Sequence, residues 1–107
     1  MAKEDEPMRG VMYITLNQYL AQLKNRERSK PEEKRRPVPS IVALAESIGI
    51  HPITLSNIAN NNITRFNLET GAAIIDEMRK RGFPMEAKDL ITYLPAEFVD
   101  EDTEAST

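Results

Sequence analysis

Ile48-Gly49-Ile50-His51-Pro52-Ile53-Thr54-Leu55-Ser56-Asn57-Ile58, IGIHPITLSNI in one-letter code, is the stretch that decides the fold. Apolar residues flank a glycine and a proline that stand too close together for a strand between them. Upstream, Ser40 is suited to cap IVALAESI, where Ile41, Leu44, Ala45 and Ile48 share one helical face. Gly49 is the expected stop, because a left-handed residue at a helix end costs glycine little and costs a residue with a Cβ about 1 kcal/mol. Pro52 carries the fixed φ of a first helical residue, with His51 in the cap position before it and Leu55, Ile58 and Ala59 on the apolar face after it. Two short helices joined by so small a turn must pack across each other near the junction, and Ala45 is small enough to permit it.

Working outward, MYITLNQYLAQLKNRER places Leu16, Leu20 and Leu23 on one stripe, so a helix is expected from about Asn17 into the basic stretch that follows. Val11 to Thr15 before it is β-branched and aromatic enough for a short strand. SKPEEKRRPVP, with Pro31, Pro37 and Pro39, reads as a long, exposed, mobile loop, because each proline pushes its predecessor out of helix. Downstream, Asn67 is the expected cap of a helix carrying Leu68, Ala72, Ile75 and Met78 or Arg79, and Gly82 is its stop. EAKDLITYLP gives a short last helix and an extended end at Thr92 to Leu94.

The chain is 107 residues long, which suits one small domain, and its 40% hydrophobic and 6% aromatic content suits a helical core of Leu, Ile, Ala and Met. With zero cysteines there is neither a disulfide framework nor a thiolate metal site. The charged start MAKEDEPMRG and the shortness of the apolar runs predict neither a signal nor a membrane span, so the expected location is the cytoplasm. Net charge is −3, unevenly spread: the five carboxylates of the tail and the net −1 of the head leave residues 11–95 at +3. Residues 1–10 read as a flexible acidic N-terminus, 24–39 as a basic, proline-containing loop inserted between the first two helices, and 96–107 as an acidic disordered tail. His51 has no cysteine, base or orienting partner at a usable spacing, and Glu69, Asp76 and Glu77 lack the companions a metal would want. No glycine-rich phosphate loop occurs, and neither enzymatic activity nor a cofactor is expected.

The spacing of Ala45, Gly49, Leu55 and Ile58, with the helices on either side, resembles the helix-turn-helix of the Cro and lambda-repressor-like (XRE) family of DNA-binding regulators. That pattern has an alanine four before the turn glycine and apolar residues six and nine after it, and the likeness covers roughly residues 12 to 95. The resemblance implies an all-α, five-helix domain, with short extended segments at its N- and C-terminal ends, whose second motif helix, at about residues 52–60, enters the major groove of double-stranded DNA. It implies base contacts from Pro52, Ile53, Ser56, Asn57 and Arg65. Asn57 is able to bind an adenine edge, and Ile53 to pack on a thymine methyl. Phosphate contacts fall to Ser40, Asn60, Asn61 and Thr64, and to Arg35 and Arg36 where the basic loop lies against the duplex. Pro52 and Ile53 stand where the family commonly has polar residues, so direct readout rests on Asn57, Ser56 and Arg65.

A homodimer is expected, since one short reading helix covers too few base pairs for selectivity. Tyr13, Phe83, Met85, Tyr93, Phe98 and Val99 are the apolar candidates for that surface or for the core. The alternative is a protein-interaction module on the same fold, such as the antitoxin of a toxin and antitoxin pair, with the acidic tail binding a basic partner.

Overall fold

The computed structural model describes residues 9–96. The acidic head up to residue 8 and the acidic tail from residue 97, with Phe98 and Val99, lie outside the described residues. The chain order is β1 (Val11–Ile14), α1 (Leu16–Arg28), a single 3-10 turn (Glu32–Lys34), α2 (Ile41–Ile48), α3 (Pro52–Ala59), α4 (Leu68–Lys80), α5 (Ala87–Leu90) and β2 (Ile91–Leu94). Among these residues no single helix is long and apolar enough to cross a membrane.

The all-α expectation is corrected by β1 and β2, which pair antiparallel in a two-stranded sheet with Val11 opposite Leu94 and Ile14 opposite Ile91. The domain is a small mixed α/β globule. Both extended segments are visible locally as β-branched and aromatic runs, but a strand needs a partner, and this one is supplied from the other end of the chain. Along β1, main-chain groups turn alternately toward β2 and away from it. The Thr15 N–H donates to the Leu90 carbonyl at 2.8 Å, so Ile14 faces the open edge.

The core gathers Leu16, Leu20 and Leu23 of α1, Leu44 and Ala45 of α2, Leu55 and Ile58 of α3, Ile74 and Met78 of α4, and Phe83 and Met85 of the loop beyond. Each fully buried Leu, Ile or Met among them is worth roughly 1.5–3 kcal/mol of transfer from water. Phe83 and Met85 therefore belong to the core, while Tyr93 is 59% exposed on the sheet.

The expected face of α4 holds at Met78 and in part at Ile75, and fails toward the N-terminus. Gly71, Ile74 and Met78 are its buried residues, whereas Leu68 is 82% exposed and Ala72 points outward. A Cβ at Gly71 would stand 3.0 Å from the Phe66 ring and 3.3 Å from Leu90, and this close approach fixes which side of α4 turns inward.

The basic loop is tethered rather than free. Glu27 is 6% exposed, and its carboxylate accepts the Arg36 main-chain N–H at 2.7 Å and the Lys30 ammonium at 2.8 Å. The Arg36 N–H first, then Lys30, hold this carboxyl below the usual carboxylate range.

Candidate nucleic-acid interface

Helices α2 and α3 form the candidate site. The Ser40 hydroxyl accepts the Ala43 N–H at 3.1 Å and opens α2. Gly49 ends it at φ 82°, and the Gly49 and Ile50 N–H groups both close onto the Ala45 carbonyl at 2.9 and 3.0 Å. After Ile50, the His51 Nδ1 accepts the Ile53 N–H at 3.1 Å and caps α3 while Pro52 occupies its first turn. The two helices are bent by 119° across this break, within the roughly 90–120° range of helix-turn-helix pairs. Ala45, fully buried, allows the close approach.

With Leu55, Ile58 and Ala59 inside, helical periodicity turns Ile53 and Asn57 directly outward and brings Thr54 beside them. Ile53 is 65% exposed, and Thr54 and Asn57 are exposed as well. Pro52 and Ser56 are only half-buried flanks, and the Ser56 hydroxyl sits 3.4 Å from the Asn60 amide nitrogen. Thr54, outside the expected contact set, is exposed where Ser56 is half-buried; the stripe of residues 55, 58 and 59 puts both about 100° from the buried direction, so periodicity alone does not separate them. Thr64 and Arg65 are exposed in the loop beyond and share a shallow concavity with Asn61, Asn62 and Ile63.

Asn60 and Asn61 are exposed, but their side chains are engaged within the protein. Asn61 takes a left-handed conformation, φ 62°, and ends α3: its N–H reaches the Ile58 carbonyl at 3.0 Å, as that of Gly49 reaches Glu46 at 3.3 Å, and the Asn62 N–H reaches the Asn57 carbonyl at 2.8 Å, as that of Ile50 reaches Ala45. Its side-chain amide then accepts the Ile14 N–H at 2.6 Å and donates to the Ile14 carbonyl at 3.0 Å, imitating a neighbouring strand at the open edge of β1. The Asn60 oxygen accepts from the Asn17 amide at 3.0 Å, and the same Asn17 group donates to the Ala59 carbonyl at 3.2 Å. The amide assigned to phosphate at Asn61 is thus spent on β1. Of the three consecutive asparagines at 60–62, Asn62 is the one whose side chain makes no hydrogen bond among the described residues.

Arg35 and Arg36 lie apart from α3, along the C-terminal end of α1. The Arg35 guanidinium donates to the Lys30 and Arg28 carbonyls at 2.9 and 3.0 Å, and that of Arg36 to the Gly82 carbonyl at 2.6 Å. Gly82 follows α4, and the neighbouring Arg81 ties α4 to α2 through the Ser47 hydroxyl at 2.8 Å. The stretch from Ser40 to Arg65 holds one arginine and one glutamate, so the reading face is close to electrically neutral. No protein-family model matches the sequence, and no curated protein or solved structure matches it either.

Proposed function

We propose that this chain is a sequence-specific DNA-binding regulator of the Cro and lambda-repressor-like kind, acting as a homodimer that lays α3 in the major groove. The observation that supports this reading is the α2–α3 pair itself. A glycine-closed turn and a 119° bend leave a short capped helix whose outward face carries Ile53, Thr54 and Asn57. Asn57 is the adenine-reading candidate, Ile53 suits a thymine methyl, and Arg65 reaches from the following loop. Ser40, Thr64 and the first-turn amides of α2 are the phosphate candidates beside them.

The test is selection of bound duplexes from a random pool by the purified full-length protein, followed by sequencing. The expected result is enrichment of a two-part site with a spacing near one helical turn, and loss of selectivity in Asn57→Ala. Unselective, weak binding in both proteins would overturn the reading.

A second reading, a protein-interaction module such as an antitoxin, draws on the apolar side chains in the first turns of α2, α3 and α4. Val42, Ile53 and Leu68 are 51%, 65% and 82% exposed, apolar surface of the kind a protein partner covers. It predicts a small basic protein that stays bound through purification and is released when residues 96–107 are removed.

A further inference from the structure

A duplex carries one negative charge per about 1.7 Å of its axis, and a protein holding it at physiological salt needs several cations against the backbone. Between Ser40 and Arg65 there is only Arg65, opposed by Glu46. The attraction has to come from a neighbouring surface, and residues 24–36 offer seven cations against three carboxylates.

We propose that the groove lined by Lys24, Arg28, Arg35, Arg36 and Val38 is a phosphate-binding strip that supplies most of the protein's sequence-independent grip on duplex nucleic acid. The proposal rests on the DNA-binding reading and names the part of the surface that carries its electrostatics. Lys24 and Arg28 stand one turn apart on the exposed side of α1. Arg35 and Arg36 are anchored by main-chain carbonyls rather than by carboxylates, so their positions are fixed while their charge is not neutralised. Each guanidinium retains unused N–H donors from its five, already ordered for a phosphate.

Glu27, the one carboxylate lining the groove, is taken up by the Arg36 N–H and by Lys30, and it sets the loop's shape instead of cancelling the strip. Val38 lies two residues before Ser40, at most ~7 Å along an extended chain, so the strip runs up to the N-terminus of α2.

The experiment measures affinity of the full chain for random-sequence duplex at several salt concentrations. Lys24→Gln/Arg28→Gln is the leading variant, because neither side chain makes a hydrogen bond or ion pair among the described residues. Its log–log salt slope should be shallower than that of the unaltered protein by about 2, with an unchanged melting temperature and an unchanged preference for selected over random duplex. Arg35→Gln/Arg36→Gln should flatten the slope by a similar amount and also lower the melting temperature. Slopes equal to that of the unaltered protein in both variants, with Asn57→Ala still removing selectivity, would overturn the strip and leave the reading helix standing. Absence of duplex binding by the unaltered protein at every salt would overturn both.

Discussion

Glu27 and Asn61 do the same work on opposite flanks of the helix pair, with different chemistry. Glu27 grips the main chain at Arg36, in the segment that leads into α2, and Asn61 grips the main chain at Ile14, against the segment that ends α3. Each is a side chain that satisfies backbone groups left without a ladder or helix partner. The first is a buried anion that also holds an ammonium, so its hold depends on pH; the second is a neutral amide in a left-handed residue, so its hold depends on conformation.

Substitutions separate the two. Asn61→Ala should cost the most, about 2–3 kcal/mol in denaturant unfolding, because the Ile14 groups lose their partner and a Cβ residue without a polar handle is left at positive φ. Asn61→Gly relieves the backbone and loses only the clip, and a loss of about 1–2 kcal/mol is expected from the unpaired groups alone. If the two variants unfold at the same denaturant concentration, the conformational part of the account is wrong. Gly49→Ala isolates the other part. Nothing stands within 4 Å of a Cβ there, so only the left-handed φ opposes it, at about 1 kcal/mol.

Glu27 gives the smallest effect at neutral pH and a distinct signature in acid. Its folded carboxyl is held below the ordinary range, so its stabilisation is fully present above that range and is lost as pH falls through the lowered folded value. Unfolding midpoints followed from neutral pH into acid should fall less in Glu27→Gln than in the unaltered protein. Asn61→Gly should show the unaltered acid slope, displaced to lower stability throughout. A parallel Glu27→Gln profile would show that its hydrogen bonds, and not its charge, hold the loop.

The local punctuation of the helix pair was legible in the sequence because it is short-range. Ser40, His51 and Asn67 cap the helices they precede, Gly49 takes a positive φ, and Pro52 sits in a first turn, each decided within four residues. Glu27 is legible as well, because residues 16, 20, 23 and 27 share a face, although the mixed charges around it disguise a buried anion as surface.

The sheet was not legible as a sheet, because nothing near Val11 names Ile91 to Leu94 as its partner. The register of α4 was ambiguous for a different reason. The adjacent Ile74 and Ile75 satisfy two apolar stripes about 100° apart, and the choice between them is made by Phe66 and Leu90 closing on Gly71. At the candidate interface the outward positions of Ile53 and Asn57 follow from periodicity, whereas the engagement of the Asn61 side chain depends on a contact 47 residues away in sequence.

The Asn61 clip also bears on the order in which the chain emerges during synthesis. β1 precedes its ladder partner β2 in the chain, with Val11 pairing to Leu94 and Ile14 to Ile91, so until β2 has been made its backbone faces water or a neighbouring nascent chain. Asn61 is made some thirty residues before Ile91. A strand that must wait for its sheet is thus offered a single side chain as a temporary neighbour, and the same two hydrogen bonds remain in place once the sheet closes on the other edge.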